Sequence, residues 1–106
     1  MSTTEEEEIE LIDLTEKEAK ILLSLLDAQN TIKYDRNYSA YVSKATGFGE
    51  SFVQRRLKVF RKYDVVSGSK LSPYGRDIAL LIKRHGFKWY EEQGDRVPRD
   101  QIDKNF

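Results

Sequence analysis

The 106-residue chain contains no cysteine, one histidine and two prolines, and it has no long apolar run. Without cysteine there is no disulfide, thiolate zinc site or thiol nucleophile, and a lone His85 cannot build a histidine-based metal cage. No stretch approaches the roughly 20 apolar residues of a membrane span, and the acidic start MSTTEEEEIE differs from the basic start of a signal peptide. We therefore expect no metal, no cofactor, no membrane partner and a cytoplasmic location.

Charge is unevenly distributed along the chain, although its 18 basic and 18 acidic residues cancel. Residues 1–30 hold nine acidic residues against two lysines, a net charge of −7. Residues 31–90 hold thirteen basic residues against four acidic ones, a net charge of +9, and residues 91–106 add −2. The length suits one small domain. The sequence thus predicts a basic module between acidic ends, and a basic field favours a polyanionic partner.

Three regions follow from composition and periodicity. Residues 1–14 are predicted to be an acidic, largely disordered N-terminal segment, since repelling glutamates bury little surface. Within it, residues 9–14 (IELIDL) alternate apolar and acidic side chains, which indicates either a short strand or a segment laid across the domain. Residues 15–90 are predicted to form the domain, and residues 91–106 a flexible charged C-terminal tail.

The first predicted helix begins at a capping box formed by Thr15 and Glu18. It continues through EKEAKILLSLLDAQ and is apolar on two opposite sides. The second side comprises Ile21, Leu25 and Ala28. Such a helix needs two partners, of which one is its own core and the other is either a second subunit or residues 9–14.

Two further helices are predicted after a linker at residues 30–36. Asn37 is positioned to cap residues 38–46, and Gly47 ends that helix in a left-handed conformation. The next helix runs from about residue 50 to residue 63 and has an apolar stripe of Val53, Leu57 and Phe60. Its opposite side carries Ser51, Gln54, Arg55, Lys58 and Lys62.

Residues 64–72 (DVVSGSKLS) predict a short β-hairpin that turns around Gly68. Ser72 and Pro73 then supply the cap and the first-turn proline of a fourth helix. Its apolar stripe comprises Tyr74, Ile78, Leu81, Ile82 and His85, and Trp89 extends it if Gly86 does not interrupt the helix. Together with the second side of the first helix, this stripe predicts a dimer interface of Ile21, Leu25, Ala28, Ile78, Leu81, Ile82, His85 and Trp89.

This order of elements resembles a winged helix-turn-helix. The stretch VSKATGFGESFVQRRLKVFRKYDVV is similar to the helix-turn-recognition-helix and first wing strand of winged-helix regulators of the MarR and PadR groups. The stretch LSPYGRDIALLI is similar to their second wing strand and following helix. The resemblance covers roughly residues 15–85. It implies a mainly α fold with a short β-hairpin wing, assembled as a dimer.

The resemblance also implies binding of double-stranded DNA, with the third helix in the major groove. Base-reading positions are occupied by Ser51, Gln54 and Arg55, where arginine suits guanine and glutamine suits adenine. Contacts to the DNA backbone are implied for Ser43, Lys44, Lys58, Lys62, Ser69 and Lys70. The wing departs from the pattern of these groups because it is very short and holds one basic residue.

Three functions remain open from the sequence. The first is a small dimeric transcriptional regulator that occupies an operator. The second is a centromere-binding adaptor, as PadR-like winged-helix dimers are in archaeal plasmid partition, which spreads along DNA and recruits a partner protein through the tails. The third is a winged-helix protein-interaction module that does not bind DNA. The first two predict a protein associated with the nucleoid or a plasmid. An enzyme is the least supported class, because no nucleophile–base pair or phosphate-binding loop is recognisable.

Overall fold

Five α-helices and two small antiparallel sheets make up residues 8–31 and 38–102, which the computed structural model describes. The elements in chain order are β1 (Glu8–Glu10), α1 (Glu16–Thr31), α2 (Tyr38–Thr46), α3 (Glu50–Lys62), β2 (Val66–Ser67), β3 (Lys70–Leu71), α4 (Pro73–His85), α5 (Phe87–Glu92), β4 (Arg96–Pro98) and a 3₁₀ helix (Arg99–Gln101). Strand β2 pairs with β3, and β1 pairs with β4. The prediction of a mainly α fold with a short β-hairpin is confirmed. No helix in the described ranges is long and apolar enough to cross a membrane.

The helix starts follow from local hydrogen bonds between neighbouring residues. At α1, the Glu18 amide donates to Thr15 Oγ1 at 3.1 Å, and the Thr15 amide donates to Glu18 Oε1 at 3.0 Å. At α4, Ser72 Oγ accepts from the Gly75 amide at 2.9 Å, and Pro73 occupies the first turn. Each contact satisfies amides that a helix start leaves unpaired. Both caps are confirmed, whereas the predicted cap Asn37 lies outside the described residues.

Helix α1 lies at the centre of the core and packs against α2, α4 and β3. These neighbours cover both of its apolar sides, so that Ile21, Leu25 and Ala28 have no exposed surface. The second partner of α1 is therefore supplied by its own chain. No second subunit is needed to bury this helix.

The predicted dimer interface is corrected by this packing. Its buried members are Ile21, Leu25, Ala28, Ile78, Leu81 and Ile82. They form the hydrophobic core of the single chain and have no surface to offer a second copy. His85 and Trp89 remain half-exposed. They stack on each other with ring centroids 4.0 Å apart.

The predicted boundaries after residues 14 and 90 are also corrected, because the two ends of the described chain pair with each other. Ile9 lies opposite Val97 in the β1–β4 register, and both side chains are buried. The Leu11 amide donates to the Asp95 carbonyl at 2.6 Å. Residues 8–14 and 91–102 therefore belong to the folded domain. The rest of the predicted tails, residues 1–7 and 103–106, lies outside the described residues.

Two tyrosines hold the end of β1 and the segment after it against the helices. The Tyr90 hydroxyl donates to the Ile12 carbonyl at 2.9 Å and accepts from the Ile12 amide at 3.2 Å. The Tyr74 hydroxyl donates to the Glu10 carbonyl. Tyr90 reaches this position because Gly86, with φ of +95°, ends α4 and turns the chain into α5. The predicted stripe is thus interrupted before Trp89.

Tyr90→Phe is expected to lower the free energy of unfolding by about 1 kcal/mol, because both backbone groups of Ile12 lose their partner. Burial raises the pKa of Tyr90 above its ordinary value, although the hydrogen bond to Ile12 opposes part of the shift. A group whose pKa rises on folding contributes stability that is complete below its unfolded pKa of about 10 and is lost as the pH rises through the folded value. Urea denaturation above about pH 10 should therefore show a smaller loss of stability for Tyr90→Phe than for the wild type.

Tyr63→Phe is the matched control, because the Tyr63 side chain is 59% exposed. We expect this variant to have wild-type stability at neutral pH. A Tyr90→Phe protein that lost stability in parallel with the wild type above about pH 10 would show that Tyr90 is not the group responsible.

Candidate nucleic-acid interface

Helix α3 is held in place by three buried side chains and presents a continuous polar side to solvent. Val53, Leu57 and Phe60 are buried in the core. The exposed side carries the residues predicted to read or contact DNA, namely Ser51, Gln54, Arg55, Lys58 and Lys62. A helix anchored in this way can hold exposed side chains in a fixed arrangement.

The positive charge of α3 is concentrated on this exposed side. Among the described residues, Arg55, Lys58 and Lys62 have no ion-pair partner. Arg56 is directed away from this side, with its Nη1 atom 2.9 Å from Glu18 Oε2 of α1. Adjacent arginines therefore have different roles, since Arg56 braces α3 against α1 while Arg55 faces solvent.

The turn between α2 and α3 is closed by short-range hydrogen bonds. Gly47 has φ of +82°, as the sequence predicted for the residue that ends α2. Ser43 Oγ donates to the Phe48 carbonyl at 2.5 Å, and Thr46 Oγ1 accepts from the Phe48 amide at 3.2 Å. Ser43, predicted to contact the DNA backbone, thus uses its hydroxyl proton within the protein and sets the start of α3. Its neighbour Lys44 is exposed.

Two aromatic rings lie at the start of α3, on the side that faces α1. Phe48 and Phe52 meet edge to face with centroids 5.5 Å apart. Lys17 Nζ lies 5.8 Å from the Phe52 centroid, and the Arg56 guanidinium lies 5.7 Å from it. Both rings pack against the core cluster. This environment places Phe52 at the margin of the core.

The hairpin β2–β3 is tied to two helices. Val66 pairs with Leu71, Ser67 pairs with Lys70, and Gly68 in the turn has φ of +66°. Arg61 Nε of α3 donates to the Gly68 carbonyl at 2.8 Å. The Leu71 amide donates to Gln29 Oε1 of α1 at 2.6 Å.

Of the predicted hairpin contacts, Lys70 is exposed and Ser69 is half-buried. Ser69 shares an open depression with residues of α2 and α3, which is lined by Tyr38, Ser39, Gln54, Leu57, Arg61 and Ser69. The structure thus brings Gln54 and Ser69, both predicted, to the same place as Arg61. Arg61 was not among the predicted site residues. The only signal for it in the sequence is that it adds another basic side chain next to the basic side of α3.

Comparison of the chain with protein-family models, curated proteins and solved structures found no significant match.

Proposed function

We propose that this protein binds double-stranded DNA and that residues 15–85 form a winged helix-turn-helix, with α3 as the recognition helix. The observation that carries the proposal is the exposed side of α3. This side places Gln54 and Arg55 beside Lys58 and Lys62 on one helix that is anchored in the core. In the described part of the chain, Arg55, Lys58 and Lys62 have no acidic partner.

The dimensions of α3 suit the major groove of B-DNA. Its 13 residues span about 20 Å at 1.5 Å per residue, and the groove, about 12 Å wide, admits an α-helix. Arg55 can bond guanine through O6 and N7, and Gln54 can bond adenine through N6 and N7. Lys58 and Lys62, further along the helix, suit phosphates, which position the protein without reading sequence.

Transcriptional regulation by occupying an operator is the role that we propose for such a domain. A two-fold dimer would match a palindromic site. The buried residues of α1 and α4 cannot supply the contact, so a dimer would use other surface, including the half-exposed His85 and Trp89. Sedimentation at micromolar concentration tests this part of the proposal, and a monomer there would remove it.

Footprinting on DNA that flanks the gene of this protein tests the proposed role. A short protected palindrome is the result expected for a regulator. Protection that spreads outward as protein is added would favour the partition adaptor. If no DNA is protected at low salt, the proposal fails and a protein-interaction module takes its place.

Binding should weaken steeply with salt because phosphate contacts release counterions. If Lys44, Lys58 and Lys62 each neutralise one phosphate per chain, the slope of log K against log salt is about −2.7 per chain. Affinity per chain should then fall roughly 40-fold between about 50 mM and about 200 mM salt. Fluorescence anisotropy over this range measures the slope, and a slope near zero would contradict a phosphate-contacting surface.

A further inference from the structure

We infer that the hairpin β2–β3 positions α3 as a brace and does not read the minor groove, so that the described residues read DNA bases through α3 in the major groove. Arg61 and Gln29 are the positioning residues in this arrangement. The inference rests on the proposed function and specifies how the same site would be used.

The hairpin lacks the means to read the minor groove. Each strand has two residues, and the pair Val66 and Leu71 is buried, which leaves one exposed pair before the turn. The turn itself is formed by Gly68, without a side chain, and the short Ser69. Minor-groove readers use side chains such as arginine, lysine, asparagine and glutamine, and the groove is about 7.5 Å deep. The one such side chain in the hairpin, Lys70, lies beside the turn and not at its tip.

The contacts of the hairpin are directed into the protein. The Gly68 carbonyl at the tip accepts from Arg61, and the Leu71 amide in the second strand donates to Gln29. The Val65 amide, just before β2, donates to the Phe60 carbonyl of α3 at 2.9 Å. Backbone groups of the hairpin are therefore held by α3 on one side and by α1 on the other. These hydrogen bonds fix the C-terminal end of α3 relative to α1, the helix at the centre of the core.

Base analogues can separate the two grooves in one experiment. The probe is the tightest-binding duplex that the protein selects from a random pool. In one set every guanine is replaced by inosine and every adenine by 2,6-diaminopurine, which alters amino groups in the minor groove. In the other set the purines are replaced by their 7-deaza analogues, which removes the N7 acceptor from the major groove.

Minor-groove analogues are expected to change Kd by less than about two-fold, whereas the 7-deaza analogues should weaken binding by about ten-fold or more. A large loss with the minor-groove analogues, or no loss with the 7-deaza analogues, would overturn the inference. Failure to select any duplex would instead remove the proposed function. The two failures are therefore distinguishable.

Variants of Gln29 test the brace without touching the exposed side of α3. Gln29→Leu removes the acceptor for the Leu71 amide, so we expect the preference for the selected duplex over a scrambled one to fall by about three-fold or more. Gln29→Glu keeps a carbonyl-type acceptor and should retain the wild-type preference. An unchanged preference in Gln29→Leu, with its fold verified by circular dichroism, would overturn the positioning role of Gln29.

Arg61→Ala distinguishes a positioning residue from a phosphate ligand. As a positioning residue, Arg61 should affect the preference between the two duplexes while leaving the salt slope unchanged. Loss of a phosphate contact would instead reduce the magnitude of the slope by about one. Lys62→Ala on the same helix provides the reference for that second pattern. The inferred role of Arg61 is overturned if both variants change the slope equally.

Discussion

Gly75→Ala is expected to lower the free energy of unfolding by about 3 kcal/mol, close to the upper end for an overpacked site. A Cβ atom at this position would lie 1.9 Å from the Val65 carbonyl oxygen and 2.8 Å from its carbon. Relief of this clash would require the Val65 backbone to move, because neither atom belongs to a flexible side chain. The Val65 backbone cannot easily move away, since its carbonyl accepts a hydrogen bond from the Ser72 amide at 3.0 Å.

Gly94→Ala is the matched control, because a Cβ at Gly94 would meet no atom within 4 Å. We expect its stability to lie within about 0.5 kcal/mol of the wild type. Urea denaturation followed by circular dichroism measures both variants. Equal stability of Gly75→Ala and the wild type would show that α4 does not approach Val65 as closely as described.

Arg55→Ala is expected to weaken binding to the selected duplex by ~1 to 3 kcal/mol and to relax sequence choice at one base pair, if the proposed DNA binding is right. The reason is that a bidentate contact to one base distinguishes that base from the other three. Arg55 is exposed and makes no ion pair among the described residues, so its loss should leave the fold unchanged. Anisotropy titrations with selected and scrambled duplexes measure both effects.

Two lysine variants are the controls for this measurement. Lys62→Ala removes a cation from the exposed side of α3 and should weaken binding to both duplexes alike. Lys88→Ala removes an exposed cation from α5 and should leave binding close to the wild-type value. If Arg55→Ala and Lys62→Ala weakened both duplexes equally, the division between base reading and phosphate contact would be wrong.

Sequence periodicity predicted the helices well where one side of a helix meets the core. The stripe of Val53, Leu57 and Phe60 is buried as predicted, and α3 ends within one residue of its predicted end. Ala45 of α2 shares the helical spacing of the buried Tyr38 and Val42, yet it is exposed. Alanine tolerates either environment, so its spacing alone carries little information about burial.

The predicted interface at α1 and α4 shows what periodicity cannot distinguish. An apolar side of a helix requires a partner, yet the pattern is the same whether that partner is another subunit or another part of the chain. Here the covering elements belong to the same chain, with α2, α4 and β3 around α1. The sequence therefore identified the buried residues and misassigned their partner.

By itself the sequence determined the local features: the capping box of Thr15 and Glu18, the turn at Gly47, the cap at Ser72 and the exposed basic side of α3. Each of these features depends on residues within a few positions of one another, so its physical cause lies within a short stretch of the sequence. Tertiary structure alone decided that Glu8–Glu10 pairs with Arg96–Pro98 and that Arg61 holds the hairpin. Such contacts join segments whose meeting depends on which surfaces remain uncovered after the helices pack, and no local pattern encodes that choice.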